Sequence, residues 1–184
     1  LRSRGYFYHD MPISKDEFAG MRLVRDKRVI ARAGIDAIGL VLYARGGSAV
    51  AFEGTERNLG SGDILAIDYA RGAILAVQPS STVSVTIPRT LLMPLVARPD
   101  RVHGSVWRSG TPLHALLAGH LRGLIAAGPH VDLATGAAMS RATAGLVAAC
   151  LGKAASATEQ AAVSLETAVL RQIRQHIEAS LADP

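Results

Sequence analysis

"TVSVTIPRTLLMPLVA", Thr82 to Ala97, changes its period at Pro88. Before the proline, Val83, Val85 and Ile87 alternate with Ser84 and Thr86, so apolar side chains face one way along a strand and hydroxyls the other. After it, "RTLLMPLVA" (Arg89 to Ala97) reads as a short helix interrupted at Pro94. Upstream, the chain keeps the strand period. "IDAIGLVLYA" (Ile35 to Ala44), "SAVAFEG" (Ser48 to Gly54), "DILAIDYA" (Asp63 to Ala70) and "AILAVQ" (Ala73 to Gln78) are short, apolar and separated by Gly46-Gly47, Gly60-Ser61-Gly62-Asp63, Gly72 and Pro79-Ser80-Ser81. "LVRDKRVIARAG", which starts at Leu23, predicts one or two more strands with a turn or bulge at Asp26-Lys27.

Downstream, the helical period persists. Thr111-Pro112 supplies an N-cap and a first-turn proline. The helix they open carries Leu113, Leu116, Leu117, Leu121, Leu124 and Ile125 on one face and ends near Gly128-Pro129. Two more helices follow, from Ala134 to about Lys153 and from Thr158 to Leu181. In the last, Leu170, Ile173, Ile177 and Leu181 form an apolar stripe. Strands first and helices afterwards predict an α+β fold, in which an antiparallel barrel or sandwich over 1–88, cupin-like by its resemblance in size to that group, leads into a helical hairpin or bundle over 89–184.

The 184 residues are 49% hydrophobic and 19% charged, an ordinary globular composition, and no apolar run reaches the roughly 18 residues of a membrane span. Cys150 is the lone cysteine, which excludes an internal disulfide and fits a reducing cytoplasm as a small buried thiol. No signal peptide opens the chain, and Leu1 is not an initiator residue, which suggests a trimmed start. The net charge is +5. Its only dense group, Arg22, Arg25, Lys27, Arg28 and Arg32, alternates through a strand-like stretch and fits a solvated edge strand better than a nucleic-acid surface.

Catalytic chemistry finds little support. Metal-holding barrels of this kind converge several histidines from neighbouring strands, and Leu23 to Ile87 contains none. His114 and His120 lie about 600° apart around one helix and point away from each other. There is no Gly-x-Ser-x-Gly elbow, Cys150 sits mid-helix without a base nearby in sequence, and "GSGD" at Gly60 to Asp63 lies between strands as a hairpin turn rather than a phosphate loop. No catalytic residue, metal or cofactor is therefore expected. A barrel can still enclose one small ligand, and Tyr43, Phe52, Asp68, Tyr69, Arg71 and Trp107 are the aromatic and polar groups available to line it.

Taken in order, "NLGSGDILAIDYARGAILAV", "VSVTIPRTLLMPLV", "GTPLHALLAGHLRGL" and "LETAVLRQIRQHIEASLADP" resemble the N-terminal effector domain of AraC/XylS-type transcriptional regulators. In that family a Gly-Asp turn and an "IPR-x-x-L" junction lead from barrel to helices. A stretch like "I-x-x-H/Y-I-E-x-x-L-x-D-P", here Ile173 to Pro184, precedes the helix-turn-helix DNA-binding domain. Asp68 and Arg71 match a "D-x-x-R-P-Y/F" segment whose Pro-aromatic pair is replaced here by Gly72-Ala73, so the ligand type does not carry over.

The resemblance implies a cytoplasmic, non-enzymatic sensor that binds a small-molecule effector and forms a homodimer. It also implies that DNA is reached only through a domain absent from these residues, and that an N-terminal arm around Tyr6, Phe7, Tyr8 and His9 covers the barrel. Leu146, Leu165, Val169 and Leu170 are candidates for the dimer seam, with packing onto their own barrel as the other role open to them. The alternative is a stand-alone cupin-fold binding protein or a cupin enzyme without histidine ligands.

Overall fold

The structure, a computed structural model, describes residues 2–152. Ten strands form two antiparallel sheets. They are β1 (Arg2–Tyr8), β2 (Met11–Phe18), β3 (Met21–Arg25), β4 (Ala37–Arg45), β5 (Ser48–Phe52), β6 (Thr55–Leu59), β7 (Ile64–Asp68), β8 (Ala73–Val77), β9 (Ser80–Pro88) and β10 (Val106–Trp107). The larger sheet runs β1-β2-β9-β4-β7-β10 and the smaller β3-β8-β5-β6. Helix α1 (Lys27–Ala33) joins β3 to β4. Helix α2 (Arg89–Leu92) continues into a 3-10 turn at Met93–Leu95, and α3 is Pro112–Ala127. Residues 133–152 are helical and are called α4. This is the α+β arrangement that the change of period predicts, and its two antiparallel sheets are cupin-like. The helix expected over Thr158 to Leu181, and with it Leu165, Val169 and Leu170, lies outside the described residues.

Most of the turns cross between sheets. Only β1–β2 and β5–β6 are hairpins of adjacent, paired strands. The Gly60–Asp63 segment is therefore not a hairpin turn, because β6 belongs to the small sheet and β7 to the large one. Asp63 fixes this crossing by accepting from the amides of Gly60 (3.0 Å) and Ser109 (3.1 Å) and from the Arg108 guanidinium (2.6 Å). Burial pushes its pKa up, but these bonds outweigh burial and hold the carboxyl below its ordinary value.

A second departure concerns α1, since a strand is expected across "KRVIARA". The Asp26 side chain accepts from the Val29 amide at 2.8 Å, and Gly34, at φ 59°, closes the other end. These two caps, with helix-favouring Lys, Arg and Ala between them, outweigh the β-branched Val29-Ile30 pair. The expected N-terminal lid is likewise absent. Its residues are the edge strand β1, in which the buried Tyr8 hydroxyl donates to the Leu124 carbonyl and Tyr6 packs against the helical side of the large sheet.

The large sheet is covered on both faces. Ile38, Leu40 and Leu42 of β4, Ile64 and Ala66 of β7, and Val83, Val85 and Ile87 of β9 pack on α3 and α4. The intervening residues of β4 and β7, Tyr43, Leu65 and Ile67, meet Val50, Leu75 and Val77 of the small sheet. Burial on both faces explains why β4 and β7 read as nearly continuous apolar runs. On α3, Leu117, Leu121 and Leu124 are buried, while Leu116 turns to solvent. Leu146 of α4 is half-buried against the same core, and Cys150 is buried.

Two histidines tie elements together in their neutral form. His103 Nδ1 accepts from the Asp68 amide (3.1 Å) while Nε2 meets the Gly72 carbonyl (3.0 Å), and His120 Nε2 meets Thr143 Oγ1 (2.8 Å). Burial lowers both pKa values from 6.5. For His103 the Gly72 carbonyl opposes that shift and the Arg71 charge reinforces it. A depressed imidazole contributes stability that is complete above the unfolded value and is lost as pH falls through the folded one. The melting temperature is thus expected to fall as the pH is lowered below about 6.5, the ordinary imidazole value. Calorimetry of the wild type beside a His103→Gln, His120→Gln double variant checks this: the variant profile should flatten, and a flat wild-type profile contradicts the assignment.

Candidate functional site

Between the sheets, toward β3 and α1, lies a cavity of about 340 Å³. Nine of its fourteen lining residues are Phe, Leu, Ile, Val or Ala, among them Leu23, Val41, Ile67 and Leu75. Leu23, Val24 and Val29 line it while remaining 45%, 43% and 40% exposed, so the cavity opens to solvent between β3 and α1.

Its polar groups come from three strands and a turn. Tyr69 follows β7, and its ring lies over Gly39 of β4. A Cβ there would overlap the Tyr69 hydroxyl and lie 2.7 Å from the carbon that bears it. Arg25 ends β3, where its Nε donates to the Tyr69 carbonyl at 2.7 Å and its guanidinium stacks 4.9 Å from the Tyr69 ring centroid. Tyr43, on β4, shares a 2.7 Å hydrogen bond with Ser48, and burial raises its pKa, so the phenol stays neutral. Thr82 and Ser84 come from the hydroxyl face of β9, which is turned into the barrel rather than toward water.

Among the described residues, four side-chain atoms are buried without a hydrogen-bond partner: Arg25 Nη2, Ser80 Oγ, Thr82 Oγ1 and Ser140 Oγ. Two of these, on Arg25 and Thr82, belong to residues lining this one cavity. A buried donor without a partner costs about 1–3 kcal/mol, and more when charged, so such groups mark places where a ligand atom is energetically welcome.

Of the six sequence-chosen residues, Tyr43 and Tyr69 line the cavity and four lie elsewhere. Asp68 is 7% exposed on the helical side of β7, where it caps the Ala70 amide (2.9 Å) and pairs with Arg89, which also holds Asp36 at 2.5 Å. Arg71 grips Glu53 at 2.5 Å on the surface and holds that carboxyl below its usual range. Phe52 sits edge-on to His103, their ring centroids 4.6 Å apart. Trp107 is buried under α4, with its indole N–H directed at the Cys150 carbonyl at 3.5 Å.

Sequence reasoning missed Arg25, Thr82 and Ser84. A signal for Arg25 exists: it shares the odd-numbered face of β3 with Met21 and Leu23, whose partners Val77 and Leu75 are buried. No three His, Cys, Asp or Glu side chains converge among the described residues, and no helix there is long and apolar enough to cross a membrane.

No curated protein matches this chain. Among solved structures, the AraC-like transcriptional activator CuxR is similar with a TM-score of 0.75 and 17% identity, over 80% of this chain and 54% of the activator. The chain thus spans about half the length of that protein. A variant of apo ToxT from Vibrio cholerae matches with a TM-score of 0.49 and 7% identity, over 72% of this chain and 52% of its own. A cupin superfamily protein from Desulfitobacterium hafniense matches with a TM-score of 0.39 and 18% identity, over 47% and 76%. The family model of the AraC-binding-like domain matches residues 12–152, which runs from β2 through α4 and leaves out only β1 among the described strands, and the chain belongs to that family.

Proposed function

We propose that this domain is the effector-sensing part of a transcriptional regulator: a small molecule enters the barrel between β3 and α1, and its binding biases the arrangement of the helices. The reading makes the domain a binding module rather than an enzyme. Contact with DNA falls to a further segment of a longer protein, and the helical region serves as a homodimer seam.

The observation that carries it is the cavity with two unpartnered buried polar atoms, in a chain of this family. The large sheet supplies a route for coupling, because it alone separates the cavity from α3. In β9, Thr82 and Ser84 face the ligand side while Val83 and Val85 pack on the helical side. A ligand that displaces the first pair moves the second, and a close-packed core passes on displacement instead of absorbing it.

Thermal-shift screening of the 184-residue chain against a metabolite library tests this. A ligand at about a hundred times its Kd stabilises by about 2.7 kcal/mol, a rise of roughly 5–11 °C for a chain of this size. Ala73→Leu and Ser84→Leu, which narrow the cavity, should each remove the rise. A rise retained in both variants places binding elsewhere and overturns the reading.

A further inference from the structure

We infer that the barrel takes a small monocarboxylate with an apolar body and a hydrogen-bonding group at its far end, Arg25 receiving the carboxylate and Thr82 the distal group. The inference rests on the effector reading above and assigns it a ligand class.

Arg25 is the only charged residue lining the cavity, and two of its roles are already structural: Nε is committed to the Tyr69 carbonyl, and the guanidinium carbon lies over the Tyr69 ring. That leaves Nη2 buried and unpartnered on a cation held in place. The N–H donors of an oriented Nη2 on a fixed positive charge suit a carboxylate. A phosphate would bring more charge and more oxygens than one arginine can satisfy, and a sugar would strand its hydroxyls against Leu23, Val41, Ile67 and Leu75.

The second unpartnered atom, Thr82 Oγ1, is at the other end. Tyr69 covers Gly39, whereas Thr82 pairs with Tyr43, four residues further along β4, roughly 13 Å of strand at about 3.3 Å per residue. Val41 and Ile67 occupy the interval, with Ser84, the partner of Val41, as its one hydroxyl. A polar group at each end of an apolar trough requires a ligand with the same sequence of groups. At about 30 Å³ for each water-sized group, 340 Å³ accommodates about eleven non-hydrogen atoms.

The mouth agrees in sign. Helix α1 carries Lys27, Arg28 and Arg32 on its exposed surface and no acid within the helix, while its Val29 reaches the cavity. Such a rim raises the local concentration of an anion.

Isothermal calorimetry on the 184-residue chain should compare ω-hydroxyoctanoate with its neutral counterpart ω-hydroxyoctanamide and with octanoate. Para-hydroxyphenylpropanoate is the aromatic equivalent of the first. At least one hydroxy acid should bind, at least about tenfold more tightly than the amide, with the preference shrinking as salt is added. Arg25→Gln should shrink that preference to less than about threefold. Thr82→Val, nearly isosteric, should weaken the hydroxy acid by about threefold or more and leave octanoate unchanged.

An amide that binds as well as the acid, or an Arg25→Gln variant that keeps the preference, overturns the ligand class. So does failure of every carboxylate to bind. Library ligands that bind and are lost in Ala73→Leu would, in those cases, leave the effector reading standing, whereas absence of any cavity ligand would remove both.

Discussion

Replacing Trp107 by alanine is expected to destabilise the domain by about 3–5 kcal/mol, the range for truncating a buried aromatic. For a chain of this size that is a fall in melting temperature of roughly 6–20 °C. The argument starts from the position of the indole. Trp107 is 5% exposed, on a two-residue strand that pairs with Ile64 at the edge of the large sheet. Its ring joins the core formed with α3 and α4, and its N–H points at the Cys150 carbonyl. Removing the ring leaves a cavity between sheet and helix and takes away a contact that seats α4. Calorimetry on Trp107→Ala gives the number, and Trp107→Phe, which keeps most of the apolar volume, should recover most of the loss. Because the ring is on the helical side of the sheet, a ligand found for the barrel should still bind the alanine variant below its melting transition. Lost binding with unchanged stability would return Trp107 to the site and contradict its placement.

Gly47→Ala should cost at least about 3 kcal/mol, the upper end for overpacking. Gly46 and Gly47 carry the chain from β4 in the large sheet to β5 in the small one, and three connections meet there. A Cβ on Gly47 would run into the Leu59 carbonyl oxygen and lie 3.1 Å from the Leu59 carbonyl carbon and 3.3 Å from Gly60 Cα. Everything it meets is backbone, so no rotamer change relieves it, and the Gly47 carbonyl is itself held by the Gln78 amide at 3.0 Å. The β5–β6 register would have to shift. Gly60→Ala is the control: a Cβ there meets nothing within 4 Å, and its stability should stay within about 1 kcal/mol of wild type. Equal melting temperatures for the two variants would show that the crossing tolerates side chains and that the packing described is wrong.

These two residues show what was legible in the chain. Both are conspicuous in sequence, one as the sole tryptophan and one in a Gly-Gly pair, yet neither role follows from it. Trp107 suggests a ligand platform because aromatics line pockets, and only the pairing of β10 with β7 puts it under α4. Gly46-Gly47 reads as a break between two strands, and only the strand order shows a crossing between sheets.

What the sequence by itself determined is local or periodic. The alternation ending at Pro88 and the helical spacing after it decide strands and helices, since side-chain direction follows backbone period. The Thr111-Pro112 start of α3 is settled within a few residues, as the Thr111 bond to the His114 amide at 3.2 Å illustrates. The exception is α1, where the Asp26 and Gly34 caps outweigh the β-branched Val29-Ile30 pair in a stretch that reads as strand.

What only the tertiary structure decided is which face of a strand looks where. The alternation of Val83, Val85 and Ile87 with Ser84 and Thr86 is plain in sequence, but it is equally compatible with a wet hydroxyl face and with one lining a cavity. The large sheet is covered on both sides, so the polar face of β9 is the inner one, and Thr82 and Ser84 enter the site. Arg25 belongs to the site for the same reason: its charge suggested solvent, whereas its register opposite Ala73 on β8 turns it inward. Period fixes that two faces differ, and the packing of one sheet on another, set by contacts distant in sequence, fixes what each face meets.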